Sequence, residues 1–252
     1  METALYIHIP FCASKCSYCD FFSIACEQVP SWYIKRLEEE FLFRQQKFGI
    51  NKIKTVYFGG GTPSYLFHDV EFFDDIVHFF KTLKPYLAEN AEITFESNPD
   101  DISKELCEFL QLLGVNRISL GIQSFNDKKL TFYNRRSTKK INNQALKIIQ
   151  KARFQHFSAD LISGLIPLGN VQEEEKELFT AIDRLISFGV DHISLYSLII
   201  GFDTPLEKFL NMYPSFIDEE LSDSLWISGC EYLESKGFTQ YEVSNFSLPG
   251  GE

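Results

Sequence analysis

Six short runs of β-branched and apolar residues recur along this chain, with amphipathic stretches between them, and that alternation leaves few folds open. Strands are expected at Ala4–Ile9, Lys54–Phe58, Glu92–Glu96, Asn116–Gly121, Ser158–Ile162 and Asp191–Leu198. Helices are expected over Ser31–Gln46, Asp69–Leu83, Lys104–Leu113, Ile141–Arg153 and Glu173–Phe188; in the fourth, Ile141, Ala145, Ile148, Ile149 and Ala152 repeat at helical spacing. Gly114 and Gly189 stand where C-cap glycines belong, and Ser31 and Ser103 where N-caps belong. Alternation of this kind implies right-handed crossovers and a parallel sheet. Six βα units are too few for a closed eight-fold barrel, so an open, partial (β/α)6 barrel of the TIM type is expected, with its site in the loops at the carboxyl ends of the strands. Beyond residue 215 a helix (Asp218–Ser235), a strand (Gln240–Val243) and a turn-like ending at Glu252 follow. The expected organisation is a core domain over 1–215 and the start of a C-terminal extension over 216–252, cut short.

Charge narrows the partners. The chain of 252 residues carries 24 basic and 35 acidic side chains, a net charge of −11, and no basic cluster that would overcome repulsion from a phosphate backbone, which argues against nucleic acid. No run is long enough to span a bilayer, and Met1-Glu2-Thr3-Ala4 lacks the basic start of a secretory signal. Of six cysteines, three fall between positions 12 and 19, while Cys26, Cys107 and Cys230 are scattered and read as packing residues. Clustered thiols without an export signal point to metal ligation in a reducing compartment, the cytoplasm.

The sharpest motif is Cys12-Ala13-Ser14-Lys15-Cys16-Ser17-Tyr18-Cys19, directly after the strand that contains Tyr6, His8 and Pro10. Iron–sulfur clusters are normally held by four thiolates; three would leave one iron open to a small chelating molecule. The alternative is a Cys₃His zinc site with His8 as fourth ligand, although zinc ligands usually come as two spaced pairs. Gly59-Gly60-Gly61-Thr62-Pro63-Ser64 follows the second strand. Its glycines allow close backbone approach to a ligand, but the spacing matches neither a phosphate loop nor a dinucleotide fingerprint, and an ordinary turn remains the other reading. His68, His78, His156 and His192 read as structural or surface residues.

Together these runs resemble the radical SAM proteins related to oxygen-independent coproporphyrinogen III oxidase. The likeness continues through Phe95-Glu96-Ser97-Asn98-Pro99, Leu120-Gly121-Ile122-Gln123-Ser124-Phe125, Asn134-Arg135, Asp160-Leu161-Ile162-Ser163-Gly164-Leu165 and Tyr241-Glu242-Val243-Ser244-Asn245-Phe246. It implies a [4Fe–4S] cluster on Cys12, Cys16 and Cys19, with S-adenosylmethionine (SAM) chelating the open iron and reductive cleavage yielding methionine and a 5′-deoxyadenosyl radical. The SAM contacts it implies are Tyr6, Tyr18, Gly60, Gly61, Thr62, Glu96, Gln123, Arg135 and Asp160. Glu96 suits an ammonium group, Arg135 a carboxylate, Asp160 ribose hydroxyls, and Gln123 both donors and acceptors. Without the family, Glu96, Arg135 and Asp160 read as an ion pair bracing the barrel mouth.

Two departures favour the haem-chaperone branch of that family. Oxidase members carry a further cysteine where this chain has Phe21, and an N-terminal extension before the tyrosine that corresponds to Tyr6. The chaperone branch implies haem as cargo, recipient haemoproteins that include respiratory, membrane-associated ones, an electron donor for the cluster, and a homodimer. A His-Asn-x-x-Tyr-Trp run associated with haem usually follows the stretch around Phe246, so the haem site is expected partly beyond residue 252. At Ile200-Gly201-Phe202-Asp203-Thr204-Pro205, relatives carry Ile-Glu-Pro-Gly-Thr-Pro, and loss of that glutamate alters the pocket at this strand end. Rival readings are the oxidative decarboxylase of porphyrin biosynthesis and a radical SAM methyltransferase.

Overall fold

A computed structural model describes residues 2–68, 72–164, 170–216 and 219–252. Six parallel strands follow one another in sequence order across the sheet: β1 (Glu2–Ile9), β2 (Lys52–Gly60), β3 (Leu87–Ser97), β4 (Arg117–Gln123), β5 (His156–Ser163) and β6 (His192–Ser197). Two short strands, β7 (Thr239–Glu242) and β8 (Asn245–Ser247), extend the sheet antiparallel, with β8 lying between β6 and β7. The sheet curls into an open half-barrel, the expected architecture.

The helices are α1 (Tyr33–Phe48), α2 (Phe72–Leu83), α3 (Lys104–Leu112), α4 (Asp127–Phe132), α5 (Lys139–Ala152), α6 (Val171–Ser187), α7 (Pro205–Met212) and α8 (Glu219–Ser235). Those expected from periodicity all form within a few residues of the anticipated bounds. The expected starts at Asp69 and Asp218 lie outside the described residues, as does Leu165 of the motif that begins at Asp160. Helices α4 and α7 were not anticipated. Ser103 caps α3 by accepting from the Leu106 amide at 3.0 Å. The expectation for Ser31 fails: Trp32 precedes α1 without a side-chain cap, and the chain enters through a turn in which the Tyr33 amide donates to the Pro30 carbonyl.

Because side chains alternate along a strand, each barrel strand has two characters. One set (Ile53, Val56, Phe58, Ile93, Phe95, Ile118, Leu120, Ala159, Leu161, Ile193, Leu195) is buried in the apolar core with the helices. At 25 cal/mol per Å² that burial is the main drive for folding. The alternate set is polar or aromatic: Tyr6, His8, Tyr57, Glu96, Ser119, Ser158, Asp160, Ser194 and Tyr196. A sheet with a helix-covered apolar face and a polar opposite face concentrates its chemistry on the latter. Register then sets neighbours: Tyr6 stands opposite Tyr57, Glu96 opposite Ser119, and Asp160 between Gly121 and Ser194.

Candidate functional site

The cysteine run leaves β1 and turns across the carboxyl ends of the strands. Phe11–Cys12 forms a two-residue bridge with Ile24–Ala25, so the loop closes on itself. The Cys19 amide donates to the Cys16 carbonyl at 3.2 Å. Distant elements hold the loop down: the Ser17 amide donates to the Tyr133 carbonyl at 2.9 Å, the Leu206 amide to the Ser17 carbonyl at 2.9 Å, and Asn134 Nδ2 to the Lys15 carbonyl at 2.9 Å. The short helices α4 and α7 therefore anchor the thiol loop. The Cys12 thiol is lifted by burial; the Thr62 hydroxyl pulls it back, and the neighbouring Cys19 and Cys16 add repulsion. Burial also lifts Cys19, partly offset by the Phe21 amide. Three thiols so placed repel one another as thiolates, a set that a cationic centre would relieve.

The glycine loop is fitted against the same strand. The Gly61 amide donates to the Ile9 carbonyl at 2.7 Å and the Thr62 amide to the Phe11 carbonyl at 2.9 Å. A Cβ at Gly61 would lie 2.7 Å from the Pro10 carbonyl carbon, and one at Gly60 (φ +116°) 2.5 Å from His8 Nδ1. Only glycine permits this approach, so the loop is a fitted element and not an ordinary turn.

Beside it, Glu96 Oε1 accepts from the Tyr57 hydroxyl at 2.6 Å and Oε2 from the Gly60 amide at 3.3 Å. Burial raises the Glu96 pKa, and those two donors hold it back. Asp160 is pushed up to about 7 by burial and by the charge of Glu96, with Ser194 and Arg135 opposing. The ion pair considered from sequence does not form. Arg135 directs Nη2 to Asn98 Oδ1 at 2.8 Å and to the Gly121 carbonyl at 2.6 Å, and Nη1 towards Cys16 Sγ at 3.5 Å. Among the described residues no ion pair reaches Glu96 or Asp160, which leaves two neighbouring carboxyls suited to a cationic or hydroxyl-rich ligand.

The expected site residues fall into two groups. Tyr6, Gly60, Glu96, Gln123, Arg135 and Asp160 come to the polar face near the carboxyl ends of the strands; Gln123 Nε2 and Arg135 Nη2 both lie against Gly121. Tyr6 stacks on Tyr57 with centroids 6.0 Å apart and reaches His8 Nδ1 at 3.1 Å. Thr62 and Gly61 face the thiol loop instead, and Tyr18 lies within it. The Thr62 hydroxyl donates to Cys12 Sγ at 3.3 Å, and the Tyr18 ring meets Tyr133 edge-on. His8 Nε2 is engaged with the Phe22 carbonyl at 2.9 Å, so both ring nitrogens are spent and the zinc alternative loses its fourth ligand. Among the described residues no group of three His, Cys, Asp or Glu side chains is gathered as a metal-ion site.

Sequence reasoning assigned no role to Tyr57 or Asn98, although Asn98 stands inside a quoted motif. The four remaining histidines are structural or peripheral: His68 bonds Asp101, His156 bonds Asp191, His78 lies near Glu38, and His192 is buried against Tyr241. Cys107 and Cys230 are buried, as expected of packing residues, and Cys26 is partly so.

Comparison with known proteins gives a consistent picture. The model of the radical SAM superfamily matches residues 6–181. Similar curated proteins include the heme chaperone HemW of Lactococcus lactis (34% identical, covering 98% of this chain and 62% of that protein) and that of Escherichia coli (32%, 98% and 63%). The chain thus spans less than two thirds of these relatives. Among solved structures, the radical SAM enzyme coproporphyrinogen III oxidase, HemN, of E. coli superimposes with a TM-score of 0.80 at 23% identity, covering 99% of this chain and 56% of that one. That likeness speaks for the fold.

Proposed function

Since this chain belongs to the radical SAM superfamily, we propose that it holds a [4Fe–4S] cluster and SAM at the barrel mouth and serves as a haem chaperone, delivering haem to haemoproteins. Cys12, Cys16 and Cys19 are the cluster ligands in this reading. The observation that carries the cofactor assignment is the pairing of a three-thiol loop with two neighbouring carboxyls, Glu96 and Asp160, that form no ion pair among the described residues. Bound together, the cluster and SAM supply one-electron reductive chemistry. The chain's own residues bind and orient. Glu96 receives the ammonium group of SAM, Asp160 its ribose hydroxyls, and Gln123 and Tyr6 complete the polar wall. Gly60 and Gly61 let the backbone come close, and Thr62 and Arg135 face the sulfurs.

The haem-chaperone assignment is supported by relatives of that name at 32–34% identity across nearly the whole chain. The exposed Phe21 also supports it, standing where the oxidase branch carries cysteine. Residues 1–215 are the core that holds cluster and SAM, and 216–252 add a helix and two strands at the edge of its sheet. Haem is the cargo; recipient haemoproteins, an electron donor for the cluster and a second copy of the chain are the partners. The work is placed in the cytoplasm, where thiols stay reduced. Among the described residues no helix is long and apolar enough to cross a membrane.

The test is haem binding by the protein, purified anaerobically with its cluster reconstituted, and assayed beside coproporphyrinogen III turnover. Stable haem uptake with the porphyrinogen left intact is the expected result. Anaerobic decarboxylation without stable haem uptake would overturn the chaperone reading in favour of the oxidase.

A further inference from the structure

Behind the thiol loop the polar groups form one connected set, and Asn98 is its hub. Its Oδ1 accepts from Arg135 Nη2 at 2.8 Å, and its Nδ2 donates to Thr62 Oγ1 at 3.1 Å. Each partner then reaches a different thiol: the Thr62 hydroxyl donates to Cys12 Sγ at 3.3 Å, and Arg135 Nη1 stands 3.5 Å from Cys16 Sγ. The direction of every bond is forced. A guanidinium can only donate, so the amide oxygen must face Arg135 and the amide nitrogen is left for Thr62. A threonine hydroxyl has one proton, and because Nδ2 donates to its oxygen, that proton is free for the sulfur.

The hub is itself fixed. The Asn98 amide donates to Ser64 Oγ at 3.2 Å, and Ser64 donates to Asp101 Oδ2 at 2.6 Å. Asp101 also accepts from Arg136 at 2.8 Å and contacts His68 Nε2 at 2.7 Å. One carboxamide, braced from behind, thus orients the donors of two cysteines in separate parts of the loop.

We propose that Asn98 is a positioning residue that tunes the reduction potential of the iron–sulfur cluster, acting through Thr62 on Cys12 and through Arg135 on Cys16. The inference rests on the cluster reading above. Hydrogen bonds and positive charge directed at cluster sulfurs favour the reduced, more negative state and so raise the potential. Asn98→Asp keeps the shape and reverses one bond. A carboxylate cannot donate, so Thr62 turns its single proton to residue 98, and Cys12 loses its donor. The added negative charge also weakens the pull of Arg135 on Cys16.

The experiment is an anaerobic redox titration of the reconstituted protein with dithionite, followed by the electron paramagnetic resonance of the reduced cluster, with iron content measured alongside. Asn98→Asp is expected to keep its iron but to be reduced about tenfold less readily, a fall of about 59 mV for a one-electron couple. Thr62→Val, which removes the donor to Cys12, is expected to lower the potential too. Thr62→Ser, which retains the hydroxyl, restores it. Combined with Thr62→Val, Asn98→Asp is expected to add less than it does alone. Iron-loaded Asn98→Asp and Thr62→Val proteins at the wild-type potential would overturn the inference while leaving the cluster reading intact. If Asn98→Asp fails to load iron, Asn98→Ala takes its place: it is expected to lower the potential of the iron-loaded protein by releasing both donors, and a wild-type potential in it would overturn the inference. Wild-type protein that takes up no iron under reconstitution would overturn both.

Discussion

Above neutral pH the folded chain must hold Asp160 ionised beside Glu96, in a site that partly excludes water. Burial first, and then the charge of Glu96, push Asp160 up to about 7, well above the ordinary carboxylate range. Between about pH 4 and pH 7 the folded chain therefore binds a proton that the unfolded chain has released. Stability falls as pH rises through that window, and the full penalty applies above it. A shift of this size corresponds to a ceiling on the order of 4 kcal/mol. Water at the open mouth screens part of it, and about 1–3 kcal/mol is the expected observable. Asparagine at position 160 has nearly the same shape and no charge to desolvate. In urea unfolding of the cofactor-free protein, Asp160→Asn should thus be more stable than wild type at pH 8.5, with the two converging towards pH 4. SAM binding should move the other way, weakening by about tenfold for the loss of a charge-assisted hydrogen bond. A stability difference that does not change between pH 5 and pH 8.5, or a variant less stable at pH 8.5, would refute the electrostatic account of this site.

Three further outcomes follow from other parts of the molecule. Cys16→Ser should abolish iron uptake and the brown colour while the circular dichroism of the βα core is retained; full iron content would defeat the ligand assignment. Lys129 is buried with Glu174 and lies 3.2 Å from Glu177, so Lys129→Met should cost about 3–5 kcal/mol in chemical denaturation by stranding a carboxylate. Adding Glu174→Leu should recover much of that loss. Gly61→Ala brings a methyl group to 2.7 Å from backbone atoms of Pro10; it should cost about 1–3 kcal/mol in the same assay and speed iron loss to a chelator.

The barrel was legible because its code is local. A parallel strand buried on its helix-covered face reads as a dense β-branched run, and a helix that covers it reads as a 3.6-residue stripe. The expected strand Glu92–Glu96 is in fact Leu87–Ser97, because Glu89 and Asn90 have poor strand propensity and only the neighbouring backbone recruits them. Helices α4 and α7 are six and eight residues long, shorter than the window over which a helical period can be seen. They form because Asn126 and Thr204 cap them and because the thiol loop docks on the residues at their ends.

The site divides along the same line. Residues whose role comes from neighbours in sequence, such as the cysteine run and the glycine loop, announce themselves by spacing. Tyr57 does not: its hydroxyl reaches Glu96 only because β2 and β3 are in a register that pairs Tyr57 with Thr94, two residues before Glu96. Asn98 is a sharper case. Its position in Glu96-Ser97-Asn98-Pro99 was visible, yet a carboxamide has two ends, and which partner each end faces depends on strands that arrive from elsewhere in the chain. Arg135 follows α4, Thr62 follows β2, and both meet Asn98 at the end of β3 only after the sheet has assembled. A motif can fix the identity of such a residue, but the direction of its hydrogen bonds is a property of the fold. It is that direction which lets Thr62 keep its proton for Cys12.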